Sequence, residues 1–338
     1  MHARLSQMRP PPLLKFNKEV SVLILSWKDA PFLHNWFDMF LKYTPKNLTT
    51  EVITLENGSN DPEFDVVAEK YGKFGDFHFL KNRIPGYIPA INKIASLAKG
   101  KYIMLAAPGA PFLSDVVGTM KSYLDRHPEV GAVSAKFMNG DGTFQNVYKK
   151  FTNLPLIFLG GMIEIGRKPG VFLSRYFNLS YTLPKTADPS QPFPIERTHL
   201  CSFMLRREAI GNEPIIEPKI PLGPCDVDLC KRICQRGYKI LGLPEARVIH
   251  HRSAAFNRHE KGKKLQYSIL GTLQYFKKHH PIQYPVLKFL FILDQFLAIL
   301  RLNLTNKKKK DTSNIKNELA HHRHMLSLLF RHELNVLG

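Results

Sequence analysis

Apolar and polar positions follow two rhythms along the first half of this chain. Residues 20–26 (VSVLILS) form a short continuous apolar run that ends in a polar turn, the pattern of a strand buried on both faces of a parallel sheet. Phe32, Trp36, Phe37, Phe40 and Leu41 then recur at helical spacing, so a helix returns over that strand. Residues 51–55 (EVITL) read as a second strand, closed by the turn formers of 56–61. Strand, helix and strand in close succession make a βαβ unit, whose ligands gather at the carboxyl ends of the strands.

The alternation continues with a helix over 91–98, a break at Gly100, a strand over 101–106, a helix over 115–126 and a strand over 130–135. Between 151 and 194 the pattern dissolves into Gly, Pro and aromatic residues, a length that predicts a mobile or substrate-covering loop. Regularity returns at 202–207, in a helix over 227–236 with Gly237 as its cap, and in a strand over 239–241. There is no internal repeat. The predicted body is an open, Rossmann-like α/β sheet with flanking helices and an irregular insertion before its last third.

The chain after about 265 differs in kind. Residues 285–304 (PVLKFLFILDQFLAILRLNL) are apolar enough to suggest a membrane span, yet they contain Lys288, Asp294, Gln295 and Arg301. A charge near the middle of a span costs about 2.5–3.5 kcal/mol on an insertion scale, which argues against crossing. Their spacing instead predicts one polar stripe on an amphipathic helix. Lys307, Lys308, Lys309 and Lys310 follow at once, and a second apolar and basic segment runs over 321–331. An apolar face beside a polybasic cluster is the two-signal arrangement that holds a protein on an anionic leaflet. The bland alternative is a helix packed on the body with a solvated lysine run.

Charge sharpens this division. The 338 residues include 48 Lys and Arg against 28 Asp and Glu, a net +20, and 44% of them are hydrophobic. That balance excludes intrinsic disorder and calls for an anionic partner. Residues 255–338 hold 15 of the basic and 5 of the acidic residues, so a quarter of the chain carries half of the excess. The densest charge adjoins an apolar helix, and no zinc-finger or RNP-type motif is present, so a nucleic-acid partner is not expected.

Cys201, Cys225, Cys230 and Cys234 fall close together, while the N-terminus has Arg4, Arg9 and Pro10 to Pro12 in place of a secretory apolar run. Reduced thiols and a cytoplasmic location, peripheral on the inner face of the membrane, are expected. The cysteine spacing near His250 and His251 also lies open to a zinc reading, without the paired CxxC knuckles usual for one.

Chemistry is expected at strand ends. Glu56, Asn57, Gly58 and Ser59 follow the second strand, Asn92 stands in the next helix, and Cys225, Asp226, Val227 and Asp228 open a later one. A carboxylate at a helix start is stabilised when ionised and serves as a general base if it faces a cleft; Asp226 taken alone reads more readily as a helix cap than as a catalytic base.

The order and wording of these segments, over about 20–256, resemble the family 2 glycosyltransferases of the GT-A fold, in particular the rhamnosyltransferase-like branch. The segments are Ser26-Trp27-Lys28-Asp29 after the first strand, ENGSND at 56–61 in place of DNGSxD, and Gly86 to Asn92 in place of GFAGGNN. HPEVGAVSAKFMNGDGTFQ at 127–145, CSFMLRREAI at 201–210 and Asp226-Val227-Asp228-Leu229-Cys230 follow, then Gly237-Tyr238-Lys239, Pro244-Glu245-Ala246 and His250-His251.

The resemblance implies a GT-A domain over 18–256, with a donor half (18–134) and an acceptor half (135–256), between an N-terminal extension (1–17) and a basic helical region (257–338). It implies a nucleotide-sugar donor held by Ser26, Trp27, Glu56, Asn57, Asn92 and Gly109, and a glycan or lipid-linked acceptor served by Asp228 and Arg206. Asp226 would be the base of an inverting displacement, and His250 a metal ligand at the diphosphate.

The chain departs from that family at Glu56, in place of the DNG aspartate, at Cys225, in place of the glutamate of EDVDLC, and most consequentially at Gly109. The DxD-type aspartate that holds Mg²⁺ or Mn²⁺ is replaced by Gly109, within Ala106-Ala107-Pro108-Gly109-Ala110-Pro111. Three consequences stay open: a metal-independent enzyme with cations such as Arg83, Lys93 or Arg206 at the leaving group, a metal held by His250 and the diphosphate, or a catalytically silent binding or assembly subunit.

Overall fold

A computed structural model describes residues 16–83, 86–159, 179–184, 186–220, 223–251, 261–306 and 313–331. Its centre is one eight-stranded mixed sheet built from β1 (Lys18–Ser26), β2 (Thr50–Asn57), β3 (Phe77–Asn82), β4 (Gly100–Ala106), β5 (Val130–Met138), β6 (Phe193–Pro194), β7 (Ser202–Arg206) and β8 (Lys239–Ile249). The spatial order is β3-β2-β1-β4-β7-β5-β8-β6. β1 pairs in parallel with β2 and β4, and β2 with β3, while β7 runs antiparallel between β4 and β5. β5 and β8 are parallel, so six strands point the same way and end on one edge. That edge carries Ser26, Asn57, Asn82, Ala106, Met138 and Ile249, together with the start of β7 at Ser202.

The continuous apolar runs of the sequence become the sandwich centre, because helices cover both faces of the sheet. α1 (Pro31–Tyr43) buries Leu33, Trp36, Phe37 and Phe40, and Trp36 stacks on Phe40 at 5.2 Å between ring centroids. α2 (Glu63–Tyr71), α3 (Tyr87–Leu97) and α4 (Val116–Arg126) follow in the first half of the sheet, then the short α5 (Leu154–Leu159) and α6 (Cys225–Gln235).

Sequence pattern misses α2 and β3 and cuts β8 short at 241 instead of Ile249. The periodic residues Phe64, Val67 and Tyr71 of α2 lie directly behind a cluster of turn formers, and β3 is an edge strand with Lys81 exposed. β8 pairs with β5 through register breaks at Val130/Ala132 and Ala135/Lys136, and such irregularities blur alternation. Gly237 lies one position beyond the α6 cap, Arg236, with φ at +87°, the left-handed turn that ends helices. Much of the long insertion lies outside the described residues.

Beyond the sheet stand α7 (Lys261–His279), α8 (Tyr284–Asn306) and α9 (Ser313–Phe330). Among the described residues no helix is long and apolar enough to cross a membrane. The expected polar stripe on α8 is corrected by the packing. Asp294 and Gln295 turn inward and are buried, with Gln295 Oε1 at 2.7 Å from His322 Nδ1 of α9, whereas Arg301 is exposed. The outward face is apolar, through Val286, Phe289, Phe296, Leu300 and Leu304. The lysines at 307–310 lie outside the described residues.

Candidate active site

At the carboxyl edge the turns after β1 and β2 lock together. Ser26 Oγ donates to Asp29 Oδ1 at 2.7 Å, the Lys28 amide donates to Ser59 Oγ at 3.1 Å, and the Ala30 amide to Asp61 Oδ2 at 3.3 Å. Lys28 adopts φ of +56°, an uncommon left-handed backbone for a residue other than glycine, and its ammonium lies 5.1 Å from the Trp27 ring centroid. Glu56 is buried, and both of its oxygens accept from its own turn, from the Gly58 amide at 3.1 Å and the Ser59 amide at 2.6 Å. Asn57 Oδ1 accepts from the Gly86 amide at 3.2 Å, tying β2 to the start of α3. Ser26, Trp27, Glu56 and Asn57 are therefore brought to one lip of the sheet.

Asn92 is placed differently. Its amide forms a two-point clasp with the Ile216 backbone, donating at 2.8 Å and accepting at 3.0 Å, and so pins the loop before α6 onto α3. Gly109 sits in the turn after β4, where its carbonyl accepts from the His251 amide at 3.0 Å. His250 Nδ1 lies 2.6 Å from Gln145 Oε1, and its ring is 5.6 Å from that of His199.

These groups do not fit a divalent cation. Mg²⁺ and Mn²⁺ favour several oxygen ligands, and carboxylates above all. Among the described residues no three His, Cys, Asp or Glu side chains gather to hold a metal. The next acid after Gly109, Asp115, caps α4 by accepting from the Gly118 amide at 2.8 Å. The four cysteines are free thiols, and burial pushes Cys201 and Cys225 up to about 12, leaving them neutral at ordinary pH.

Asp226 stands in the first turn of α6, whose cap position is Pro224. Its Oδ1 accepts from the Val227 amide at 2.8 Å, and its Oδ2 lies 3.6 Å from Arg197 Nη1. The side chain is 17% exposed, enough for contact with a substrate but not for free hydration. Burial raises its pKa above the ordinary aspartate value, against the opposing charges of Arg197 and Lys149.

Two acceptor-side expectations are corrected. Asp228 is fully buried, held by Arg232 Nε at 2.8 Å, His279 Nε2 at 2.7 Å and Lys278 Nζ at 2.9 Å, so it presents nothing to an acceptor. Burial alone would raise its pKa, but the His279, Arg232 and Lys278 contacts outweigh this and bring it down to about 2. Arg206 pairs with Tyr102 near the start of β4, at the opposite end of the sheet from the site. It donates to the carbonyls of Val130, Leu124 and His127 at 2.8, 2.6 and 3.1 Å, which fixes a loop instead of meeting a ligand. Lys93 is also engaged, on Asn82 Oδ1 at 3.1 Å.

Arg197 and Lys149 are the residues that sequence reasoning overlooked. Each lies in an irregular stretch, and only the pairing of those stretches brings both to Asp226.

No family model matches the chain. Over 252 residues it is 24% identical to the N-acetylglucosaminyl-diphospho-decaprenol L-rhamnosyltransferase of Mycobacterium tuberculosis, covering 70% of this chain and 77% of that protein. Among solved structures, GalNAc-T7 with UDP, GalNAc and Mn²⁺ superposes with a TM-score of 0.54 at 16% identity, over 90% of this chain and 54% of that one. This chain thus spans about half the length of that enzyme. The mannosyltransferase PcManGT of Pyrobaculum calidifontis, in complex with GDP-Man and Mn²⁺, matches with a TM-score of 0.51 at 12% identity, over 93% and 86% of the two chains. The chain therefore has the GT-A fold and resembles the rhamnosyltransferase-type family 2 glycosyltransferases in sequence.

Proposed function

We propose that this protein is a glycosyltransferase that moves a sugar from a nucleotide-sugar donor to a glycan or lipid-linked acceptor by inverting displacement. The observation that carries the reading is Asp226, a partly open carboxylate at a helix start on the carboxyl edge of a GT-A sheet, with Arg197 beside it. An acceptor hydroxyl approaching Asp226 gives its proton to the carboxylate as its oxygen attacks the anomeric carbon. The bond from that carbon to the diphosphate breaks, and the electron pair leaves with the nucleoside diphosphate.

The donor's nucleoside lies at the lip formed by Ser26, Trp27, Glu56 and Asn57, whose turns are held in shape by the Ser59 amide on Glu56 and the Lys28 amide on Ser59. Gly109 and His250 border the diphosphate, and Asn92 shapes the pocket by holding the loop at Ile216. The likeness to a transferase whose acceptor is a diphospho-decaprenol favours a lipid-linked acceptor here as well.

The same reading includes docking to an anionic inner leaflet through 285–310. Support comes from the outward apolar row on α8 and from the basic excess that follows it in sequence.

The test is transfer of labelled sugar to a lipid-linked acceptor from a panel of nucleotide sugars. Asp226→Asn is expected to abolish transfer while leaving donor binding in place. Retained turnover would remove Asp226 from the mechanism, and donor binding without turnover in the unaltered protein would turn the reading toward a catalytically silent binding subunit.

A further inference from the structure

The segment at 148–150 runs between two other extended stretches. Lys149 is bridged antiparallel to Tyr181 on one side and to Arg197 on the other. The Lys149 amide donates to the Arg197 carbonyl at 3.0 Å, and the Arg197 amide returns the bond at 3.1 Å. Residues directly opposite one another in such a ladder send their side chains to the same face. Tyr181, Lys149 and Arg197 therefore form one row. Two contacts agree with this: the Lys149 ammonium lies 5.9 Å from the Tyr181 ring centroid, and Arg197 reaches Asp226 at 3.6 Å.

The charges in this row do not balance. Among the described residues, Asp226 is the one carboxylate within ion-pair distance of Arg197, and none lies that close to Lys149. Glu196, the adjacent acid, spends Oε2 on the Phe151 amide at 2.5 Å. Two cations thus share one carboxylate in a poorly hydrated place. Burial and the neighbouring Arg197 press the Lys149 pKa down against the pull of Asp226, as expected for an ammonium short of negative charge. An anion placed in the row would relieve both cations.

The missing DxD carboxylate creates the complementary need. A departing diphosphate requires positive charge, yet the described residues around Gly109 do not make a divalent-cation site. We propose that Lys149 and Arg197, with Tyr181 beside them, form a diphosphate subsite against Asp226, so that fixed protein cations replace a divalent ion in this chain. The inference rests on the transferase reading. As the bond between the anomeric carbon and the diphosphate oxygen breaks, its electron pair stays on the diphosphate, whose charge meets Lys149 and Arg197, while the acceptor proton passes to Asp226. The ligand is a diphosphate, supplied either by the donor nucleotide or by a lipid diphosphate acceptor.

The full-length protein titrated calorimetrically with inorganic pyrophosphate in EDTA tests this. Binding is expected without metal, weakened at least tenfold by Lys149→Met or Arg197→Met and largely kept by Lys149→Arg. Competition assigns the source: displacement by UDP, GDP or dTDP supports the donor, and displacement by geranyl diphosphate alone supports the acceptor. Binding by the unaltered protein only after Mn²⁺ or Mg²⁺ is added would overturn the proposal even if a variant failed to fold. So would folded Met variants that bind as tightly as the parent. If no nucleoside diphosphate binds under any metal condition while pyrophosphate binding still depends on Lys149, the transferase reading fails and the anion subsite stands.

Discussion

Two aspartates two positions apart on α6 have opposite fates, and the side chains facing them decide which. Asp226 is partly open and its pKa is raised by burial, so in its proposed role as base it places the acid limb of kcat/KM above the ordinary aspartate range, with activity expected to fall as pH drops through that limb and the carboxylate takes up a proton. Arg197→Met removes the main opposing charge and should move that limb higher still, which a pH–rate profile of the variant would show. Asp228 is the structural partner. Its folded-state value near 2 lies below the ordinary 3.8, so its contribution to stability is complete above about pH 4 and fades as pH falls toward 2. Asp228→Ala strands Arg232, Lys278 and His279 without their shared carboxylate and should cost about 3–5 kcal/mol in denaturant unfolding at neutral pH. Sequence singles out both acids because a helix start is legible, but not which one faces the cleft, since that depends on α7 arriving from the far end of the chain. Lys149 and Arg197 were illegible for the same reason: three irregular segments must pair before the two cations share a face.

Elements carrying their own periodicity were readable, as β1, α1, β4 and α4 show; those whose partners set the pattern were not. α8 is the sharpest instance. Its spacing reveals a helix with a polar and an apolar side, but the orientation follows from packing: Asp294 and Gln295 go inside, where α9 supplies His322. Val286, Phe289, Phe296, Leu300 and Leu304 stay outside, with Phe289 at 62% and Phe296 at 58% exposed. Their steps of three, seven and four residues keep one row along the helix. A row of this length is a poor surface in water and a good one at a lipid interface. Phe289→Glu with Phe296→Glu should therefore lower sedimentation with phosphatidylglycerol vesicles by at least about a hundredfold in affinity, given about 1.5–3 kcal/mol for each buried phenylalanine. The melting temperature should barely change, because neither ring is part of the core. Unchanged vesicle binding would show that this face does not enter the leaflet.

At the scale of the whole molecule, the basic helices share a core with the sheet domain. Ile157, Ile220 and Val227 of the body pack in one buried cluster with Ile269, Leu273, Tyr275, Phe276, Leu287, Phe291, Met325 and Leu329 of α7, α8 and α9. Polar contacts join the same seam: Lys278 Nζ reaches Glu217 at 2.9 Å as well as Asp228, and His279 is almost completely buried. The boundary near 256 is thus a boundary in composition and charge, which sequence can see; the apolar seam crossing it forms only when distant segments meet. The α7–α9 helices, which carry the outward apolar row, and the helix carrying Asp226 are connected through Asp228, within one helical turn of Asp226. Lys278→Ala with His279→Ala isolates that connection, since it leaves α8 and its outward row untouched. Arg232 still faces Asp228 in the variant, so the stability loss should stay at or below about 3 kcal/mol. Vesicle binding should persist, while kcat falls more than donor affinity because the first turn of α6 loses its brace. A variant with kcat unchanged despite the lost stability would show that the seam holds the domains together without positioning Asp226.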